Sequence, residues 1–198
     1  MRINIARAAG LAGIAAGVLA LAAGAATPAS AATVTDTGGT AVIAISHATL
    51  DGLAKAGIVV LPSGSGTASY ANGLENITLT VSGGNATIVG ATGTLDLAGS
   101  LQFVDGSSGK SLTLSKLALS YDAATFTGVA GRHDVTVDVT GSLNGTQNAG
   151  PPASQTFTAS ALVLTKSGAK FLNTALHAKY FKAGQDLGSL ATTYDIGS

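Results

Sequence analysis

From residue 74 onward the chain alternates apolar and polar residues with a period of two. That is the signature of strands with one face buried and one face wet. Ile77, Leu79 and Val81 share one face. Ser82-Gly83-Gly84-Asn85 follows and predicts a turn before a short strand over Ala86–Val89. Leu95, Leu97, Leu101 and Phe103 fall on odd positions opposite Asp96, Ala98, Ser100 and Gln102, and Gly99 within that run predicts a bulge or a close backbone approach. Asp105-Gly106-Ser107-Ser108-Gly109 turns the chain back. The next strand buries Leu112 and Leu114, then changes phase to Leu117, Leu119 and Tyr121. A slip of one residue would expose the whole second half, so a bulge is expected near Ser115-Lys116. Val135, Val137 and Val139 alternate with Asp134, Thr136 and Asp138 in the clearest half-buried strand. Gly145–Ala153 is polar, contains Pro151-Pro152 and predicts an exposed loop. Gln155–Lys166 and Gly188–Ile196 complete the strands.

Two short helices interrupt this pattern. Ser46 can cap one over His47–Ala56 that buries Leu50, Leu53 and Ala54 and stops at Gly57, with Asp51 four residues before Lys55. Ser167 can cap a second over Gly168–Ala178 that buries Leu172, Ala175 and Leu176, while Lys170, Asn173, Thr174 and His177 face water. Each helix follows an apolar strand and precedes another. Many strands, Gly-rich turns and few helices predict an all-β fold, an antiparallel β-sandwich or barrel-like architecture with two short helices.

The first thirty residues follow a different rule. Arg2 and Arg7 precede an uncharged Ala/Leu/Gly-rich run to Ala26, and Ala29 and Ala31 stand in an A-x-A arrangement. This spells a secretory signal peptide over 1–31, cut between Ala31 and Ala32. Removing 31 of 198 residues leaves 167, expected to form a single secreted β-rich domain over 32–198. No second apolar run of about 18 residues follows, so no membrane span is expected after cleavage. The localisation this implies is secreted, extracellular or attached to the cell wall. Asn76, Asn85 and Asn144 open Asn-x-Thr triplets, but an Ala-rich leader and a secreted chain without Cys fit a bacterial source, where the triplets carry no glycan meaning.

Composition mostly excludes. The chain is 46% hydrophobic and 10% charged, with no Cys and no Trp, and its ten basic residues balance its ten acidic ones. Neutrality removes the footprint of a nucleic-acid binder. Without Cys there is no disulfide frame, thiolate metal site or thiol nucleophile. Gly106–Ser111 has the glycines and lysine of a phosphate loop at the wrong spacing, and a strand follows where a helix is required. No Gly-x-Ser-x-Gly elbow is present. His47, His133 and His177 are 44 or more residues apart, so none sits in a local metal-ligand spacing. Glu75 is the only Glu, and Asp134 and Asp138 on one strand face stand about 13 Å apart, too far for paired-carboxylate glycosidase chemistry. Lys166, Lys170, Lys179 and Lys182 form a modest basic patch suited to an anionic envelope polymer. No catalytic constellation emerges, and neither a metal nor a cofactor is implied.

The stretch Thr92-Gly93-Thr94-Leu95-Asp96-Leu97-Ala98-Gly99-Ser100-Leu101-Gln102-Phe103, followed by Leu112-Thr113-Leu114-Ser115, resembles the hairpin core of the Htaa-domain family. These are secreted and surface β-rich modules of actinobacteria, several of which bind haem. The resemblance implies the fold and a secreted lifestyle. Haem-binding members hold iron with a Tyr near the domain start and carry a Gly-His turn after the hairpin's Phe. Here the segment His47–Ala56 has no Tyr and Val104-Asp105-Gly106 has no His. Haem is therefore disfavoured as a partner, with Tyr70, Tyr121, Tyr180, Tyr194 and His133 the remaining candidates from other loops. The sequence supports a non-enzymatic binding or interaction module whose partner is an envelope polymer or a surface protein. The alternative is a structural component of the bacterial envelope or extracellular matrix, assembled through an unprotected edge strand.

Overall fold

The computed structural model describes residues 36–71 and 73–196. The leader and its Ala31–Ala32 cleavage site lie outside the described residues. In chain order the elements are β1 (Asp36–Ile45), α1 (His47–Lys55), β2 (Ile58–Ser63), β3 (Thr67–Ala71), β4 (Leu74–Gly84), β5 (Thr94–Ala98), β6 (Ser100–Asp105), β7 (Lys110–Ser120), β8 (Thr125–Ala130), β9 (His133–Asn148), β10 (Ser154–Leu164), α2 (Lys166–Leu176) and β11 (Gly188–Ile196). All the strand pairings are antiparallel. The order β7-β5-β4-β1-β11-β10-β9-β8 returns to β7 through the β7–β8 pairing, which closes an eight-stranded barrel. β6 and β2 continue outward from the lower half of β7, and β3 lies beside β4. Closure resolves the choice between sandwich and barrel, and it leaves the ring without edges.

The alternating residues point where their period placed them. Ile77, Leu79, Val81, Leu95, Leu97, Leu101, Phe103, Val135, Val137 and Val139 are all buried, and Asp134 and Asp138 stay on the outer face. β7 changes phase at Lys116, whose φ of 49° marks the bulge. Ahead of it Leu114 is paired with Leu101 of β6, and beyond it Leu117 is paired with Leu97 of β5. One long strand thus serves two partners, with Leu114, Leu117 and Leu119 all buried. Gly99 is the matching hinge between β5 and β6. Its φ is +98°, and a Cβ there would stand 3.1 Å from the Ser63 carbonyl oxygen and 3.2 Å from the Gly66 nitrogen.

Five expectations need correction. Ser82–Asn85 is no turn: β4 runs on through Gly84, pairing Gly83 with Asp96 and Gly84 with Leu95 after a register shift. Ala86–Val89 is no strand but part of a loop over 85–93, carrying a single bridge between Thr87 and Thr92. The polar stretch Gly145–Ala153 is an exposed loop only from Ala149 on, because β9 continues exposed to Asn148 and pairs with β10 through Asn148↔Ser154. Pairing with β10 satisfies that backbone even though no side chain there is buried. α2 starts two residues early, since Thr165 Oγ1 rather than Ser167 accepts from the Gly168 N–H at 3.0 Å. In α1 the cap is Ser46, as expected, but Thr49 is buried with Leu53 while Ala54 is exposed.

Leu53 of α1 and Leu172 of α2 line the same small apolar space, about 70 Å³, as Ile43, Val60, Phe103 and Val137 of the sheet. The helices therefore stopper one end of the barrel, and the interior beneath them is a packed core with no room for a sizeable ligand.

Candidate functional site

At the stoppered end, three segments meet around an open cleft of about 560 Å³ lined by Gly52, Lys55, Asp105, His177, Lys179 and Tyr180, among others. That volume suits a small-molecule ligand. One wall is α1. A second is the turn between β6 and β7, built on Asp105. Its Oδ1 accepts from the Ser107 N–H at 2.8 Å and Oγ–H at 2.6 Å, and from the Ser108 N–H at 3.3 Å. These donors hold its carboxyl well below the usual carboxylate range, at about 2. Ser108 Oγ lies 2.8 Å from Asp105 Oδ2 and 3.2 Å from the Leu176 carbonyl oxygen, which ties the turn to the end of α2. The Gly106 N–H donates to the Gly57 carbonyl at 2.8 Å, which ties it to α1.

This arrangement has a pH consequence. A carboxyl whose folded value is depressed stabilises the fold above its unfolded value, near 4, and that contribution is lost as pH falls towards about 2. The Asp105→Asn variant should therefore lose less of its remaining stability than the parent between pH 4 and pH 2, measured as urea midpoints. Equal slopes would show that the turn carries no linkage.

The third wall is the connection from α2 to β11. His177 ends α2 in the left-handed region at φ 57°. Asn173 then holds the connection from both sides, as its Nδ2 donates to the Phe181 carbonyl at 2.7 Å and its Oδ1 accepts from the Phe181 N–H at 3.0 Å. With Phe181 fixed in the core beside Phe103, at a ring separation of 6.1 Å, Tyr180 is thrown onto α1. Its hydroxyl donates to the Thr49 carbonyl at 3.1 Å, and its ring fills the space above Gly52, where a Cβ would come within 2.6 Å of it. Half-burial pushes the phenol's pKa up.

α1 and the β6–β7 turn, the two segments that the resemblance singled out, thus line one cleft. α1 presents a bare Gly52 and the β6–β7 turn presents Ser107 and Ser108, yet a Tyr and a His reach the same space from the α2–β11 connection. The other candidates lie elsewhere. Tyr121 and Tyr194 are buried inside the barrel, where desolvation raises both phenols. Tyr70 is exposed on β3. His133 is exposed at the start of β9, its ring 5.2 Å from that of Phe171. Of the four lysines singled out, Lys179 lines the cleft, and Lys166, Lys170 and Lys182 are exposed outside its wall. Lys55, not among them, joins Lys179 at the rim. Neither is in an ion pair, since the single such contact among the described residues is His47–Asp51 at 3.7 Å. Among the described residues no cluster of three or more His, Asp or Glu could hold a metal ion.

No family model and no curated protein matches the chain. Among solved structures it is similar to the C-terminal domain of HtaA from Corynebacterium glutamicum, at 16% identity and a TM-score of 0.56, over 83% of this chain and 99% of that one. The heme-binding protein HtaB from the same organism matches at 14% identity and a TM-score of 0.48, over 82% of this chain and 95% of that one. The fold expected from the hairpin at Thr92–Ser115 is the fold observed.

Proposed function

We propose that this chain is an exported, non-enzymatic binding module of the Htaa kind, and that it carries haem in the cleft between α1, the β6–β7 turn and the α2–β11 connection. The observation that supports this reading is the placement of Tyr180 over Gly52, with His177 in the same cleft. Tyr and His are the side chains with which proteins grip haem iron. The sequence disfavours haem because two positions lack them; the fold delivers both types to that space from another element. His177 is exposed and free to turn towards a ligand, whereas ligation by Tyr180 would exchange its hydrogen bond to Thr49 for a bond to iron. Lys55 and Lys179 at the rim suit the two propionates of haem.

Titration of residues 32–198 with hemin tests this directly. A saturable one-to-one Soret shift is expected, weakened by about tenfold or more in Tyr180→Phe and in His177→Ala, and unchanged in Tyr70→Phe. Absence of saturation, or a shift indifferent to both cleft variants, would refute the haem reading. Export is tested separately. Mass spectrometry of secreted material should give Ala32 as the first residue, within about two positions, and an intact Met1 in the membrane fraction would overturn it.

A second reading, a structural envelope component, rests on β2. Among the described strands it pairs only with β6, carries no charge and leaves Val59 and Leu61 exposed at 53% and 43%. Such an edge can template assembly. Self-association without hemin, abolished by Leu61→Lys, would favour it.

A further inference from the structure

The opposite end of the barrel, where β7 finishes, holds a second cavity that the haem reading does not use. It measures about 190 Å³ and is walled by Ile88, Leu119, Tyr121, Val139, Leu143 and Phe157, with Ser120 and Asn144 its polar-side-chain contributors. Close-packed interiors leave few voids larger than a water molecule. An apolar hole of about 150 Å³ stays dry and accepts benzene. This one is larger, and its walls offer water little to bond.

Nor is it free to collapse. Its roof is the loop 85–93, which is held by polar contacts on both flanks. The Ala86 N–H donates to Asp36 Oδ2 at 2.7 Å, the Ile88 N–H to Gln155 Oε1 at 2.8 Å, and the Gly93 N–H to Asp122 Oδ2 at 2.8 Å. Ile88 is thereby fixed over Gly145, where a Cβ would collide with its side chain. The phenols beneath are committed too: the Tyr194 hydroxyl donates to Gln155 Oε1 at 2.9 Å, and the Tyr121 hydroxyl lies 3.3 Å from Thr192 Oγ1. Tyr121 offers the cavity its ring, 4.8 Å from that of Phe157. At the mouth, Leu143 is 46% exposed.

We infer that this cavity is a binding site for the uncharged end of a small amphiphile, an aliphatic chain whose polar head stays in water beyond Leu143. Rigid apolar walls and an apolar lip at Leu143 select an alkyl group, and Ser120 and Asn144, the polar side chains beside Tyr121 in its walls, offer little to hold a buried head group.

Sodium octanoate, below micelle-forming concentrations, is the probe, with benzene as a second arm that separates chain from ring. Octanoate should bind one-to-one with a negative heat-capacity change and show nuclear Overhauser contacts to the Leu119 and Val139 methyls. Leu143→Asp, at an exposed site, should weaken octanoate at least tenfold and leave hemin titration as it was. Ile88→Trp, which fills the space, should abolish binding should the first variant fold poorly. Benzene binding without octanoate binding would reassign the cavity to a ring. No saturable binding by either, or octanoate contacts scattered over the surface and indifferent to both variants, would overturn the inference.

Discussion

Val137→Asp is expected to remove a large part of the fold's stability, whereas Thr136→Asp, one residue away, should be nearly silent. Val137 is buried and paired with Phe126 on one side and Leu164 on the other, and it lines the apolar space under the helices. A carboxylate there finds no partner, and it must either stay charged in an apolar surrounding or take up a proton. The loss should be roughly 3–5 kcal/mol, a large part of the 5–15 kcal/mol typical of a domain. Thr136 points outward and is half-buried. Its carbonyl accepts from Thr165 Oγ1 at 2.8 Å, a backbone contact that the substitution leaves in place. Its cost should stay below about 1 kcal/mol. Urea midpoints of the two variants check this, and equal losses would reverse the assigned faces of β9.

Gly188→Ala should be the next most damaging change, through the backbone. Gly188 opens β11 opposite Ile45 of β1 with φ +143°, a conformation that residues with a Cβ rarely adopt. A Cβ there would also run into the Ala44 carbonyl oxygen. β11 would have to separate from β1 just where the chain leaves for α1, at a cost of roughly 3 kcal/mol or more. Gly184→Ala is the control. Its φ is +78°, but nothing lies within 4 Å of the added carbon, so only the cost of the left-handed conformation, about 1 kcal/mol, is expected. Thermal unfolding of the pair separates collision from conformational cost, and matching losses would show that the collision relaxes freely.

Period-two alternation located strand phase well because each strand has one wet face, and the physics of each face is local. It identified the bulge at Lys116 and the hinge at Gly99 for the same reason: a broken period or a bare residue is visible within a few positions. β3, Thr67–Ala71, escaped because all five of its residues are exposed, so no apolar face marks it. The choice between sandwich and barrel stayed open because nothing local in Thr40 announces Thr193 as its neighbour. The cleft was half legible. Two of its three walls are the segments that the resemblance named, the first without a Tyr and the second without a His. What brings Tyr180 there is the clamp of Asn173 on Phe181, a tertiary contact. One signal did exist. Gly52 in a helix interior costs about 1 kcal/mol relative to Ala, and such a glycine commonly makes room for something. Here it makes room for the Tyr180 ring.

The seam between β1 and β11 also sets how the chain must fold. β1 lies between β4 and β11, so one of its neighbours is nearby in sequence and the other is some 150 residues away. The meander from β7 to β10 can form from adjacent segments, but the ring stays an open, curling sheet until β11 arrives. Until then, β1 and β10 each expose an unpaired edge. Closure across that span makes this a slow folder for its size, and the open-ring intermediate, rather than the finished barrel, is the species most exposed to pairing with another chain.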